Sequence, residues 1–300
     1  MSLKPFRLKQ GDRIGVLAPA GPVEQEELRA GVEALEFLGF PVVLSPHALC
    51  REGYLAGKDE LRLHDLHTMF QDEKVKAILC ARGGYGVLRL LDSLDFELIR
   101  RHPKILVGYS DITALLLAVY KKTRVVTVHG PVLRDLVKNR GENLKSLMRL
   151  LTSREPAAWR FEGARALREG TAEGKLVGGN LSLLTRLLGT PFMPSPKGAL
   201  LFIEEKGEPL YRIDRMLTHL RLSGFLAGCV GVMIGALIDC DEPAAVEAMI
   251  EERLGDLNVP VMTGIPVGHG EENIALPIGV KAVFDTNRRT LALKEPCVRA

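Results

Sequence analysis

Cysteine and excess charge are both scarce in this sequence, and each scarcity excludes a class of protein. Five cysteines, an odd number with no Cys-x-x-Cys pair, argue against a disulfide scaffold and a zinc knuckle. We also expect no metal site, because the sequence shows no cluster of metal-ligand residues. Charge is nearly balanced, with 40 Lys and Arg against 37 Asp and Glu and a net charge of +3. Because no basic block is present either, we expect no nucleic-acid partner.

Long apolar runs are also missing. The longest, residues 225–238, has 14 residues, is rich in glycine and is interpreted as a buried strand with its turns. It falls short of the ~20 residues that cross a bilayer. Residues 14–18 follow several basic side chains but are too short for the apolar segment of a signal peptide, which needs about 7–15 residues. We therefore expect no membrane contact and a cytoplasmic protein.

What is present is the composition of a globular chain. Its 300 residues are 46% hydrophobic and 26% charged, enough for a sizeable core and for about two domains. The first part of the chain alternates short apolar runs with amphipathic helical patterns, which predicts a parallel sheet with helices on its faces. Ligands of such sheets lie at the carboxyl ends of the strands. The predicted strands are 13–18, 41–44, 76–80 and 104–107, and the predicted helices are 25–38, 61–70, 87–94 and one that Asp111 opens.

The pattern changes between about residues 137 and 175, where the sequence is charged and poor in strand signals. We predict a helix at 144–151 and then an inter-domain connection. Beyond it, short strands and helices punctuated by glycine and proline indicate a second, smaller α/β domain. Its predicted strands are 199–203, 231–237, 261–264 and 280–285, and its predicted helices are 181–188 and 211–220. The expected organisation is an N-terminal α/β domain at 1–136, a helix and linker at 137–170, and a C-terminal domain at 171–300.

The segment GYSDIT places Ser110 at a sharp turn between a predicted strand and a predicted helix. Such a turn exposes the hydroxyl above the sheet edge, and the free N–H groups of the helix can stabilise an oxyanion. Ser110 is thus a candidate nucleophile. Alternatively it only caps the helix, as serine often does. The full Gly-x-Ser-x-Gly pattern is absent, since Ile112 occupies the position of its second glycine.

The segment ARGGYG follows the predicted strand 76–80 directly. Adjacent glycines let a backbone approach a ligand closely, so this loop suits a phosphate cradle or part of an oxyanion hole. A dinucleotide fingerprint would need a third glycine, where Arg89 stands instead. Arg82 is a candidate for binding a substrate carboxylate, with a surface ion pair as the alternative.

Two further candidates lie in the second half of the chain. Glu204 follows the predicted strand 199–203, a position that delivers a side chain to a site, although a solvated charge cluster is the alternative. His269 lies between glycines in a loop after the predicted strand 261–264. Histidine is the natural general base near neutral pH, and flanking glycines let a loop bring it close to a partner. His129 has a similar setting, and a lone loop histidine is often incidental.

The joint order of these segments is informative. ARGGYG, GYSDIT, VHGP, GGNLSLL, LFIEEKGEPLYRIDRML and GIPVGHGEENIALPIG occur in this order. That ordered set resembles the LD-carboxypeptidases, a family of serine peptidases that includes the muramoyltetrapeptide carboxypeptidase, and covers nearly the whole chain. The resemblance implies an N-terminal parallel-sheet (Rossmann-like) domain, a smaller β-rich C-terminal domain, and an active site between them.

The resemblance also implies residue roles. Ser110 corresponds to the nucleophile, His269 to the general base and Glu204 to the carboxylate that orients the histidine, with Glu205 as the rival for this last role. The backbone N–H groups of Gly84 and Asp111 correspond to the oxyanion hole. No metal and no organic cofactor are implied.

The substrate implied by the resemblance is a murein tetrapeptide, cleaved at the bond that releases its terminal D-alanine. A carboxypeptidase binds a free carboxylate, and Arg82 is our candidate for it. Relatives suggest a homodimer. Three alternatives are a microcin C self-immunity peptidase acting on peptidyl-nucleotides, a non-catalytic ligand-binding protein, and a nucleotide-binding enzyme that uses ARGGYG. The presence of Ser110, His269 and Glu204 argues against a non-catalytic ligand-binding protein. The lack of a third glycine in the fingerprint argues against a nucleotide-binding enzyme.

Overall fold

The computed structural model describes residues 2–138 and 141–300. Its helices are α1 Gln25–Phe37, α2 Asp59–Gln71, α3 Phe96–Arg101, α4 Ile112–Thr123, α5 Glu142–Thr152, α6 Leu181–Leu187, α7 Leu210–Leu222, α8 Phe225–Gly228 and α9 Pro243–Leu254. Its strands are β1 Arg13–Leu17, β2 Val42–Leu44, β3 Val75–Cys80, β4 Ile105–Gly108, β5 Thr127–His129, β6 Ala158–Arg160, β7 Arg165–Arg168, β8 Thr171–Asn180, β9 Ala199–Lys206, β10 Cys229–Ile238, β11 Val261–Thr263, β12 Leu276–Ile278, β13 Lys281–Asp285 and β14 Thr290–Leu293. Within these ranges no helix combines the length and the apolar character needed to cross a bilayer.

The first sheet has the strand order β12-β5-β4-β3-β1-β2. From β2 to β5 the strands are parallel, as the alternation of strand and helix signals predicts. β2 lies on one side of β1, whereas β3, β4 and β5 follow one another on the other side. The carboxyl ends of β1 and β3 therefore flank a topological switch point, the position at which ligands of such sheets commonly bind. β12 comes from much later in the sequence and pairs antiparallel with β5.

The second sheet has the strand order β6-β14-β13-β8-β9-β10-β11-β7. Its centre, β8 to β11, is parallel, and the strands on either side of this centre pair antiparallel. A mixed α/β fold with two sheets is therefore confirmed.

Helix α4 lies between the two sheets and fixes their contact. All its residues from Ile112 to Tyr120 are buried, as expected of a helix that is apolar all round. The backbone N–H of Asn180, at the end of β8, donates to Thr113 Oγ1 over 3.1 Å. A Cβ on Gly179 would lie 2.5 Å from Thr113 Cγ2, so glycine is needed there for the close approach.

The segment between residues 137 and 175 is only partly as expected. The helix is present as α5, but β6, β7 and the start of β8 follow it, so the expectation of a strand-poor connection is wrong. These strands are short or half-exposed and carry charged side chains toward solvent. Charges and edge positions hide the alternation that would otherwise mark a strand.

Two smaller differences concern the first sheet. The predicted helix 87–94 is a 3₁₀ helix, Val87–Ser93, and α3 follows it without having been predicted. Short elements such as α3, β5 and β12 carry too few residues for a periodic signal.

Candidate active site

A cleft of about 310 Å³ opens where carboxyl ends of strands from both sheets face each other. Ser110, Asp111, Gly84 and His269 all contribute to its wall, and Glu205 also lines it. Four residues that the sequence singles out from three distant segments thus share one concave site, the common setting of a catalytic centre.

Ser110 lies in the turn between β4 and α4. Its φ angle is +62°, in the left-handed region that serine rarely adopts. A Cβ on Gly108 would lie 2.6 Å from Ile112 Cγ2, so the turn can be this tight only with glycine at that position. A strained serine at a strand-to-helix turn is the geometry of a nucleophile elbow.

The ARGGYG loop packs directly against Ser110. A Cβ on Gly83 would lie 2.8 Å from Ser110 Cβ and 3.1 Å from its Oγ. The next residue, Gly84, has a φ of +116°, and a Cβ on it would lie 3.0 Å from Gly21 Cα. Adjacent glycines are therefore required for this loop to reach the serine.

Two backbone N–H groups of the cleft are free to bind a ligand. In the part of the chain that the structure describes, neither the N–H of Gly84 nor that of Asp111 donates to a backbone carbonyl. Asp111 directly precedes α4, so its N–H belongs to the positive end of that helix. Such donors can stabilise an oxyanion.

Glu204 and His269 are in direct contact. His269 Nδ1 is 2.6 Å from Glu204 Oε2, and the Glu204 side chain is fully buried. Burial raises the pKa of the Glu204 carboxyl, but interactions with His129 and His269 outweigh that effect and hold the pKa at about 2. Since an ionised carboxylate only accepts hydrogen bonds, Nδ1 carries the proton and donates it. Nε2 of His269 is then the basic nitrogen.

Ser110 and His269 share the cleft wall, yet no hydrogen bond joins them within the described residues. Catalytic hydrogen bonds of hydrolases are often long without substrate and tighten when it binds.

The two adjacent glutamates point in opposite directions, because successive residues of a strand face opposite sides of the sheet. Glu205 is also buried and accepts hydrogen bonds from Asn180 Nδ2 (2.7 Å) and from the N–H of Ser182 (2.8 Å). It therefore holds the start of α6, and Glu204 is the glutamate in contact with His269.

Comparison with known proteins places this architecture in a family. Residues 14–130 match the sequence profile of the LD-carboxypeptidase N-terminal domain, and residues 173–284 match that of the LD-carboxypeptidase C-terminal domain. The chain belongs to the LD-carboxypeptidase family. It is accordingly an enzyme, a serine LD-carboxypeptidase.

Individual relatives agree with this assignment. The probable murein peptide carboxypeptidase of Bacillus subtilis is 41% identical over 98% of this chain and 95% of its own length. The murein tetrapeptide carboxypeptidase of Pseudomonas aeruginosa is 34% identical over 92% of this chain and 94% of its own. A crystal structure of an MccF-like protein from Bacillus anthracis superposes with a TM-score of 0.91 at 31% identity, covering 98% of this chain and 100% of that one.

A carboxypeptidase binds the free terminal carboxylate of its substrate, and an arginine is well suited to that task. Arg82, the residue expected from the sequence, is not among the residues that line the cleft, and its Nη1 donates to the carbonyl of Pro22 over 2.7 Å. Among the described residues the basic side chains in the cleft wall, apart from His269, are Arg186 and Lys206, both exposed. Arg186 extends from α6, the helix that Glu205 holds in place.

Tyr109 is a site residue that the sequence analysis did not single out. Its ring lies 4.8 Å from the His269 ring, and its hydroxyl donates to Asp135 Oδ2 over 2.7 Å. Burial, helped by the charge of Asp135, raises the pKa of Tyr109 well above its usual range, so the hydroxyl stays a donor. The sequence feature that could have indicated Tyr109 is its position directly before Ser110 in GYSDIT.

His129 is buried on the other side of Glu204. Its Nε2 is 3.9 Å from Glu204 Oε1, too far for a direct hydrogen bond. Neither of its ring nitrogens has a hydrogen-bond partner within the described residues. The charge of Glu204 is thus flanked by two imidazoles.

The carboxyl of Asp111 gives a pH-dependent test of the cleft. Burial raises its pKa from 3.8 to about 6, against a hydrogen bond from the N–H of Val87. The raised pKa stabilises the folded protein below about pH 4, and this contribution is lost as the pH rises through 6. Relative to wild type, Asp111→Asn should therefore gain about 2–3 kcal/mol of unfolding free energy between pH 4 and pH 8. Urea unfolding at several pH values measures it.

The exposed Asp92 supplies the control variant, Asp92→Asn. A difference between wild type and Asp111→Asn that is constant with pH would show that the Asp111 carboxyl is not perturbed as described.

Proposed function

We propose that this enzyme releases the terminal D-alanine of murein tetrapeptide by cleaving its L,D-peptide bond, in the recycling of peptidoglycan. The observation that carries the proposal is the 2.6 Å contact between Glu204 and His269 in the same cleft as the strained Ser110. A histidine that is oriented by a carboxylate and shares a cleft with a serine hydroxyl is the arrangement that activates a serine.

In the proposed first step, Ser110 Oγ attacks the carbonyl carbon of the scissile bond while His269 Nε2 removes the hydroxyl proton. Glu204 accepts the hydrogen bond from Nδ1 and stabilises the imidazolium that results. The carbonyl oxygen becomes an oxyanion, and we assign its binding to the N–H groups of Gly84 and Asp111, which donate to no backbone carbonyl.

The tetrahedral intermediate then collapses. The C–N bond breaks, and His269 gives its proton to the nitrogen of the departing D-alanine. The remaining tripeptide is an ester of Ser110. In the second half of the cycle a water molecule attacks this ester, His269 takes the proton of the water and returns it to Ser110 Oγ, and the tripeptide leaves as an acid.

A second candidate substrate is a peptidyl-nucleotide of the microcin C type. It is favoured by the close superposition with the MccF-like structure, since MccF is the name of a microcin C7 self-immunity protein. The same serine chemistry would cleave either compound, so the substrate assay should include both. The murein substrate is preferred because relatives at 41% and 34% identity are named for murein peptides.

We further propose that the enzyme acts in the cytoplasm, as a homodimer, without a metal or an organic cofactor. The ordered motifs of the family support these features. The proposed chemistry requires only side chains and backbone N–H groups.

The nucleophile is tested by Ser110→Ala. Without the hydroxyl no ester can form, so release of D-alanine should fall about 10⁴-fold or more relative to wild type. Both proteins are assayed in a buffer that contains EDTA, which removes free metal ions. Mass spectrometry of the incubated tetrapeptide measures it. Ser195→Ala, at an exposed position outside the cleft, is the matched control. A Ser110→Ala variant that keeps most of its activity would refute the assignment.

The two glutamates provide a matched pair. Glu204→Gln keeps the shape of the side chain but leaves His269 in the wrong tautomer, so kcat should fall on the order of 10³- to 10⁴-fold. Glu205→Gln still offers an oxygen to the N–H of Ser182 and should retain most of the activity. Steady-state kinetics of both variants decide the question, and the reverse pattern would exchange the two roles.

The carboxylate subsite is tested with a tetrapeptide and its C-terminal amide. If Arg186 binds the terminal carboxylate, Arg186→Ala should lower kcat/KM for the tetrapeptide about 10- to 100-fold, which corresponds to the loss of one charge-assisted hydrogen bond. The same substitution should hardly change the cleavage of the C-terminal amide. Arg82→Ala should affect both substrates little. A selective loss in Arg82→Ala instead would assign the carboxylate to Arg82, as expected from the sequence.

A further inference from the structure

The loop that carries His269 lies between β11 and β12 and, in the described chain, contains no helix or strand. Backbone hydrogen bonds hold the ends of the loop, at Pro266, Val267 and Ile274, but in the described chain residues 268–273 make none with another backbone group. Yet Nδ1 must stay within hydrogen-bond distance of Glu204, because a displacement of about 1 Å can cost 10²-fold in rate. Other contacts have to fix this loop.

One contact is made within the loop by Asn273. Its side-chain Oδ1 accepts a hydrogen bond from the N–H of Gly268 over 2.9 Å, and the side chain is 3% exposed. The bond spans His269 and closes the loop around it.

The second contact comes from Asn143, in the first turn of α5. Its Oδ1 accepts from the N–H of Asn273 over 3.0 Å, and its Nδ2 donates to the carbonyl of Glu271 over 3.0 Å. Asn143 is also 3% exposed. Both the oxygen and the nitrogen of its side-chain amide therefore form hydrogen bonds with the His269 loop, which lies about 130 residues away in the sequence.

The loop position that these hydrogen bonds fix leaves little room for displacement. A Cβ on Gly268 would lie 2.4 Å from Glu204 Oε2, so the backbone before His269 is pressed against the carboxylate. A small shift of the loop would either collide with Glu204 or break the contact with His269.

We propose that Asn143 is a positioning residue of the active site. Together with Asn273 it forms a clamp, the Asn143–Asn273 clamp, that holds His269 in register with Glu204. The inference rests on the proposed role of His269 as the general base. It assigns a positioning role to α5, the helix that precedes the predicted inter-domain connection.

The test compares Asn143→Ala and the milder Asn143→Ser with wild type on murein tetrapeptide. With the clamp removed, kcat should fall about 10- to 100-fold while KM changes little, because the substrate-binding residues are untouched. The rate at which a fluorophosphonate acylates Ser110 should fall in parallel. In proton NMR, the downfield signal of the His269 Nδ1 proton should weaken or vanish.

Asn273→Ala acts on the same clamp from the other side. Because both residues hold one loop, the double variant Asn143→Ala/Asn273→Ala should lose little more activity than either single variant. Losses that simply multiply would mean that the two residues act independently, which contradicts the clamp.

Thr286→Ala is the control for a general loss of stability. Thr286 is 1% exposed and ties two chain segments by bonds to Gly170 and Arg168, and it does not line the cleft. It should lower the melting temperature as Asn143→Ala does but leave kcat unchanged. If Asn143→Ala also lowers only the melting temperature, the residue is merely structural and the proposal is wrong.

His269→Ala separates this proposal from the proposed function. If His269→Ala keeps the wild-type kcat, the general-base assignment fails, and the clamp proposal fails with it. If His269→Ala is inactive but both Asn143 variants keep the wild-type kcat and Nδ1 signal, only the clamp is refuted.

Discussion

The buried charge of Glu204 is the constraint on which the rest of the site depends. An isolated carboxylate in an apolar interior is disfavoured by on the order of tens of kcal/mol, so it persists only with partners. Here the hydrogen-bond partner is His269 at 2.6 Å, and the imidazole of His129 lies nearby at 3.9 Å. The glycine at position 268 and the irregular loop after β11 allow the imidazole of His269 to reach the buried carboxylate of Glu204.

The site is as much a product of sheet packing as of local motifs. Ser110 follows a strand of the first sheet, while Glu204 lies within a strand of the second. The buried helix α4 fixes the distance between them, because its first turn both carries the serine turn and contacts the end of β8 through Thr113. Ser110 and Glu204 are therefore brought together by the same contact that joins the sheets.

What could be predicted from sequence follows from how local each signal is. β3 is a nearly continuous apolar run and α1 has an amphipathic pattern, and both lie where expected. The turn around Ser110 could be recognised from GYSDIT alone. Sequence patterns could not reveal Asn143, whose partners are about 130 residues away. Nor could they show that Arg186 lines the cleft while Arg82 does not, because that depends on side-chain direction.

The pairing of β12 with β5 binds the two halves of the polypeptide into one cooperative unit. Without residues 276–278, the buried edge of β5 would present unpaired N–H and C=O groups, an edge that recruits other chains. An N-terminal fragment that ends before β12 would consequently self-associate, and the first sheet is complete only after residue 278 has been synthesised.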